Sequence, residues 1–406
     1  MIVRLIRRLK RLSTRKIVWS RPRRRSVLLI DPSGTDILTQ FIAIENIETL
    51  DFEETNIWVV GRTIFKRQLS TTAYAIAYIE ITQPKVVLTF IDNDVNFYKL
   101  KSLYPQTKFV SVQNGIRANY SAEPSNGFFD QLSEAVDEAE LSSDYLCVFG
   151  SASAKQLTRF IKTDTITVGS IKNNLFKASQ SISAQKYDVV LISQYPPFSV
   201  HDASRRIYFG NESTTLIDFY RIESTVAKLV AQYCAIHNLS FAVCGKRESV
   251  SSDEEKFYGD SIGSLSWSYE PRVSAHSTYE IANSAKVIVS IDSTVGQEFM
   301  ARGNRVAFIS GRMNAALHDG WLNIKETNFG YPTDLAPNGP FWTNQAFESE
   351  VIRILDYLRA ISDEHWATEI APYNESLMAY QPGNPVFKKL LLELGLTLND
   401  GVNTDA

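Results

Sequence analysis

Short apolar runs alternate with longer amphipathic or polar segments along most of the chain. Runs that are apolar throughout read as strands buried on both faces, and segments with 3.6-residue spacing read as helices. The first such series opens with a strand at Ser26–Ile30, ending in Asp31-Pro32-Ser33-Gly34. A helix and a strand at Ile57–Val60 follow, then a helix over Ser70–Thr82 and a strand over Lys85–Ile91. The pattern continues with a helix at Val95–Leu103, a strand at Lys108–Val112, an acidic helix at Phe128–Leu141 and a strand at Tyr145–Phe149. A helix opening at Ser151 and a strand at Thr165–Val168 close the series.

Lys172–Lys186 is polar and Ser-rich and reads as a linker. A second series begins with a strand at Asp188–Ser193, followed by a loop to Phe209, a helix over Ser213–His237 and a strand at Phe241–Cys244. The stretch after Arg247 reads as exposed. A helix at Thr278–Ser284 leads to a strand (Val287–Ile291), a turn carrying Asp292-Ser293-Thr294, a helix (Val295–Ala301), a stop at Gly303 and a strand (Val306–Ile309). Asn323–Trp342 is loop-rich, and helices at Gln345–Ser362 and Pro385–Leu394 end the series. Two strand–helix alternations predict an α/β protein with two Rossmann-like domains facing a cleft. The expected boundaries are 26–171, 172–186 for the linker and 187–395, with a basic arm at 1–25 and a disordered tail at 396–406.

At 406 residues, 44% hydrophobic and 21% charged, the chain suits two soluble α/β domains. Cys147, Cys234 and Cys244 lie in or near apolar runs and form no C-x-x-C pair, so buried reduced thiols in a cytoplasmic protein are expected. Five scattered histidines offer no metal-ligand spacing. No segment approaches the length of a membrane span, and the opening run lacks the apolar core of a signal peptide.

Charge changes the picture at the start of the chain. The first thirty residues hold eleven Lys/Arg and no acid, so the remainder carries −14 against a total of −3. Ile2, Leu5, Ile6, Leu9, Leu12 and Ile17 alternate with these cations at helical spacing. An amphipathic basic arm suits the anionic inner face of the cytoplasmic membrane, and the acidic body disfavours nucleic acid.

Chemistry is expected where parallel strands end. Ser293 and Thr294 open a helix, where hydroxyls and unpaired N–H groups can hold a phosphate; Asp292 precedes them, and Glu298 lies one turn on, where it could grip ribose. Gly245 permits close approach and Lys246 and Arg247 can neutralise phosphate, while His276 and Tyr279 could stack on a base. In the first domain, Asp92-Asn93-Asp94 and Gln113-Asn114-Gly115-Ile116-Arg117 lie at neighbouring strand ends. A carboxylate there could act as base or nucleophile, and Arg117 could fork onto a carboxylate or phosphate. The plain alternatives are helix caps for Asp92 and Ser293, a surface cation for Arg117 and a core ring for Tyr279.

Ile91–Phe97, Gln113–Arg117 and Tyr380–Asn384, together with the DSTVGQE turn, resemble bacterial surface-carbohydrate (O-antigen and capsule) glycosyltransferases of GT-B type. The nearest functional parallel is the retaining transferases of 3-deoxy-ulosonic acids, Kdo or pseudaminic acid, from CMP donors. That resemblance implies a CMP-sugar in the second domain, an aspartate adduct on Asp92 or else Asp94, and a glycan acceptor, free or lipid-linked. It implies no cofactor beyond the donor. The acid that usually precedes the late PGN segment is Gln381 here. The tripeptide Asp92-Asn93-Asp94 keeps a metal-assisted UDP- or GDP-sugar transferase as an alternative, and a non-catalytic scaffold of an assembly complex is a third reading.

Overall fold

Both long β-sheets are wholly parallel, and each is sandwiched between helices. The computed structural model describes residues 16–176, 185–196, 200, 202, 204–210, 212–248, 252–274, 276–314 and 322–399. In the first half the elements are β1 (Lys16–Val18), β2 (Val27–Ile30), α1 (Thr35–Leu38), β3 (Ile47–Leu50), β4 (Glu54–Asn56), α2 (Ile57–Phe65), α3 (Thr71–Thr82) and β5 (Val86–Thr89). Then come α4 (Val95–Leu103), β6 (Lys108–Val112), β7 (Tyr120–Ser121), α5 (Phe128–Glu138), β8 (Leu141–Val148), α6 (Ser151–Leu157), β9 (Ile161–Thr167) and α7 (Ile171–Leu175). The first six-stranded sheet runs β3-β2-β5-β6-β8-β9.

The second half contains β10 (Tyr187–Ile192), β11 (Arg206–Phe209), β12 (Glu212–Thr215), α8 (Leu216–Ile236), β13 (Phe241–Glu248), α9 (Ser252–Ile262), β14 (Ser268–Arg272), α10 (Ser277–Asn283) and β15 (Ala285–Ser290). It continues with α11 (Thr294–Ala301), β16 (Val306–Ile309), the two-stranded ribbon of β17 (Met313–Asn314) and β18 (Leu322–Asn323), β19 (Trp342–Thr343), α12 (Glu348–Ala360), α13 (Asp363–Ser376) and α14 (Pro385–Glu393). The second six-stranded sheet runs β14-β13-β10-β15-β16-β19. A small antiparallel sheet, β12-β11-β7, joins the halves, because β7 belongs to the first and β11 to the second.

Alternation within each strand decides which helices cover which face. Leu28, Ile30 and Val87 face a core shared with Val59, Tyr78, Phe97, Tyr98 and Leu132. Val27, Leu29, Val86 and Leu88 face the other side, where Leu38 and Phe41 meet Phe387, Leu390 and Leu391. Helix α14, expected in the second domain, thus covers the first sheet. Two buried asparagines fix its return: Asn174 Nδ2 donates to Asn384 Oδ1 at 2.8 Å, and Asn384 Nδ2 donates to the Ile171 carbonyl at 3.1 Å. Gln381, at the position of the missing acid, is spent here as well, donating to the Thr167 carbonyl at 3.0 Å.

Several elements differ from the sequence expectation. Ile57–Val60 begins a helix, because the Asn56 side chain accepts from the Trp58 and Val59 amides at 3.0 and 3.4 Å and caps it. The Ser/Asp/Glu-rich stretch after Arg247 contains α9, whose Glu254 and Tyr258 are fully buried. Part of the expected linker is α7, with Asn173 and Asn174 buried; residues 177–184 lie outside the described residues, as do 1–15 of the arm and 400–406 of the tail. The Asn338–Trp342 loop plugs the second core through Phe341 and Trp342. All three cysteines are free and buried, and burial pushes each thiol up to about 12. No helix among the described residues is long and apolar enough to cross a membrane.

Phe387 is fully buried, its ring edge-on to Phe41 at 5.2 Å. Phe387→Ala should therefore destabilise the first domain by about 3–5 kcal/mol, read as a lower urea midpoint.

Candidate functional site in the interdomain cleft

The carboxyl ends of both sheets meet across a cleft, the place where open parallel sheets bind ligands. A cavity of about 290 Å³ is lined from the first domain by Ile116, Ala118 and Tyr120. Its far wall carries Gln194, Lys246, Asp292, Ser293, Thr294 and Arg312, with Phe219, Tyr220 and Glu326 completing it. A neighbouring cavity of about 280 Å³ shares Ile116, Ala118 and Tyr120 and extends to Asn93, Arg117 and Gln131.

The N-terminus of α11 opens into the larger cavity. Ser293 is its N-cap residue with extended backbone, and its hydroxyl makes no capping bond. The Gly296 amide donates to the Ser293 carbonyl at 3.0 Å, and the Thr294 and Val295 amides remain available to an anion at the positive end of the helix dipole. Thr294 Oγ1 accepts from the Ile116 amide at 3.3 Å, a direct tie across the cleft. Gly296 lets α11 lie this close to its strand, since a Cβ there would sit 2.3 Å from Ser290 Oγ. Lys246 faces the same cavity, and desolvation lowers its pKa. The backbone of Gly245 and Arg247 continues β13, and a Cβ on Gly245 would meet the Tyr269 hydroxyl at 2.4 Å, so this glycine serves packing. The Arg247 side chain lies outside what is described.

Arg312 organises the floor of this cavity. It is buried, with Nε donating to Asp292 Oδ2 at 2.7 Å and Nη2 donating to Asp292 Oδ1 at 3.0 Å, to Glu223 Oε1 at 2.5 Å and to Gln194 Oε1 at 2.7 Å. Its guanidinium lies over the Phe219 and Tyr220 rings at 4.6 and 5.0 Å. Asp292 is thus the anchor of Arg312, and its carboxylate is not free to meet a ligand. Tyr258 completes the network, donating to Glu223 Oε2 at 3.1 Å. Sequence reasoning missed Arg312, Glu223 and Tyr120. For Arg312 the available signal was a cation three residues past the end of the apolar β16 run.

Two expected site residues prove to be structural. Glu298 is buried: its carboxylate accepts from Ser170 Oγ at 2.5 Å and from the Tyr279 hydroxyl at 2.6 Å, and its backbone carbonyl accepts from Asn173 Nδ2 at 3.2 Å. It pins α11 to α7 and does not reach the cavity wall as a ribose ligand would. Tyr279 is occupied by that bond and by stacking on Phe176 at 5.0 Å, while His276 lies 6.2 Å from the same ring.

The first-domain constellation is also rearranged. Asp92 is fully buried; Arg117 Nε donates to its Oδ2 at 2.8 Å and Nη2 donates to its Oδ1, while the Asn114 amide donates to Oδ1 at 3.0 Å. Arg117 Nη2 also donates to Asn114 Oδ1. The expected nucleophile and donor anchor are therefore locked to each other. Asp94 caps α4 through the Asn96 amide at 3.0 Å, with burial raising its pKa, and Asn93 is exposed at the second cavity. Gln113 is buried; its Oε1 accepts from the Phe149 amide at 2.8 Å, bracing two strand ends. Asp92 and Asp94 are thus separately engaged. Among the described residues, no cluster of three or more His, Cys, Asp or Glu is arranged to hold a metal.

Two parallel-sheet domains with a cavity at their facing strand ends form an α/β fold of GT-B type. S. aureus MnaA in its UDP co-structure superposes with a TM-score of 0.52 at 12% identity, over 92% of this chain and 97% of that one. The N. meningitidis UDP-GlcNAc 2-epimerase bound to UDP-GlcNAc (TM-score 0.46, 11% identity, 90% and 98% covered) is also similar. So is the wall teichoic acid polymerase TagF with CDPG (TM-score 0.48, 9% identity, 91% and 88% covered). A family model described as "putative O-antigen biosynthesis protein" matches residues 110–394, and the chain belongs to that family. No curated protein matches the sequence.

Burial raises the Glu298 pKa above the ordinary 4.5. The folded chain then keeps this proton over a pH range in which the unfolded chain has lost it, so this contribution to stability declines as pH rises through that range. The stability difference between wild type and Glu298→Gln should therefore move against the wild type as pH rises above 4.5 in urea titrations.

Proposed function

We propose that this protein is a glycosyltransferase of surface-polysaccharide biosynthesis that takes a nucleotide sugar in the interdomain cleft. The observation that carries the reading is the convergence of the open α11 N-terminus, with Ser293 and Thr294, and of Lys246 on one cavity whose opposite wall comes from the other domain. A helix N-terminus and an ammonium on one cavity suit a pyrophosphate. The acceptor approaches over Tyr120 and the neighbouring cavity. Family membership and the GT-B fold support the carbohydrate setting.

We take the donor to be a nucleoside-diphosphate sugar in preference to a CMP-ulosonate. The CMP-ulosonate mechanism needs Asp92 free to attack and Arg117 free to hold a sugar carboxylate, and the two residues neutralise each other. Among the carboxylates on the main cavity wall, Asp292 is held by Arg312, which leaves Glu326 to accept the proton of an acceptor hydroxyl.

Thermal denaturation with UDP, CDP or CMP tests the reading. A diphosphate present at 100 times its Kd should add about 2.7 kcal/mol of stability, and CMP less. Ser293→Ala/Thr294→Ala should abolish most of that gain; an unchanged gain would remove the site, and no response to any nucleotide would favour the scaffold reading.

Glu326→Gln should lower transfer to a glycan acceptor by about 10²-fold or more with UDP affinity unchanged.

A further inference from the structure

Helix α2 presents its apolar side to solvent. Only Val59 and Thr63 are buried, one turn apart, so a narrow stripe faces the body of the protein. The opposite face carries Ile57, Trp58, Gly61, Ile64 and Phe65, with Ile64 58% and Phe65 88% exposed. The patch continues in both directions. Leu69, just past the helix, is 76% exposed. On the other side Trp58 Nε1 donates to the Trp19 carbonyl at 2.9 Å, and Trp19 is 70% and Ile17 53% exposed. Strand β1 is held there by parallel pairing with β4. A contiguous group of large apolar side chains this exposed marks a docking surface.

The charge around it selects the partner. Arg21, Arg23 and Arg24 follow Trp19 and are exposed. The residues preceding Lys16 supply six further cations and no acid, interleaved with five of the apolar residues noted above. Of the nearby acids, Glu54 pairs with Lys16 and Glu80 with Arg62 and Lys66, which leaves Asp51 and the exposed Glu53 against the surrounding cations. Two tryptophans and bulky aliphatic groups beside a run of exposed arginines match the headgroup layer of an anionic bilayer, where indole rings settle and cations meet phosphodiesters.

We propose that the outer face of α2, together with β1 and Leu69, docks on an anionic phospholipid surface. This proposal does not depend on the nucleotide reading, since α2 lines neither cavity.

The test uses the full chain in sedimentation with vesicles of phosphatidylcholine alone or mixed with phosphatidylglycerol. The wild type should partition onto the mixed vesicles, more weakly at high salt. Ile64→Ser/Phe65→Ser/Leu69→Ser replaces only exposed side chains and should keep the parent melting temperature while binding at least tenfold more weakly. Equal binding by the triple variant would place the contact elsewhere and overturn the proposal, as would failure of the wild type to bind. A wild type that ignores vesicles but self-associates, with the triple variant monomeric, would make the patch an interface between copies and overturn it equally.

Discussion

The placement of α11 is the constraint on which the cleft depends. Its carboxyl-terminal half is fixed to the first domain by Glu298 on Ser170, while Arg302 donates to Asn173 Oδ1 at 2.6 Å and to the Phe176 carbonyl at 2.5 Å. Arg302 also lies over the Phe176 and Tyr380 rings at 4.9 and 5.2 Å. Buried charge is costly unless every lone pair and proton finds a partner, and here the polar partners come from the chain on both sides of the domain junction. The amino-terminal half of the same helix is thereby aimed into the cavity with its Thr294 and Val295 amides unspent. Rigid support behind an open helix end is what an anion site requires.

The same logic repeats on the cavity floor and in the first domain. Arg312 is held between Asp292 and Glu223, and Asp92 is held by Arg117, in each case with further hydrogen bonds that satisfy the buried groups. These pairs stabilise little on balance, because desolvation consumes most of the attraction. Their effect is to define which polar groups face the ligand. Lys246 and the α11 amides remain, and the more conspicuous charges are neutralised. The return of α14 onto the first sheet adds a second covalent tie across the cleft, so the halves are joined by α7, by the β7–β11 pairing and by the segment before α14.

The sequence made the strands legible because both faces of each sheet are covered, which leaves nearly unbroken apolar runs such as Val27–Ile30 and Val86–Thr89. The turn at Asp292–Thr294 and the cluster at Asp92 and Gln113–Arg117 were legible as strand-end chemistry for the same reason. Their partners were not. Glu298 is 128 residues from Ser170, Arg312 is 89 from Glu223 and Asp92 is 25 from Arg117, and no local pattern encodes such pairings. Glutamate one turn into a helix looks available until the neighbouring domain covers it. Ile57-Trp58-Val59-Val60 misled in the opposite sense: a β-branched apolar run suggests a buried strand, whereas the Asn56 cap makes it a helix with an exposed apolar face.

In the proposed site, nucleotide phosphate sits on the first turn of α11. A crystal structure of the protein with UDP tests it most directly. Phosphate oxygens should lie within hydrogen-bonding distance of the Thr294 and Val295 amides and the Ser293 or Thr294 hydroxyl, with Lys246 beside them. A nucleotide bound anywhere else, or phosphates that leave those amides unpaired, would contradict it.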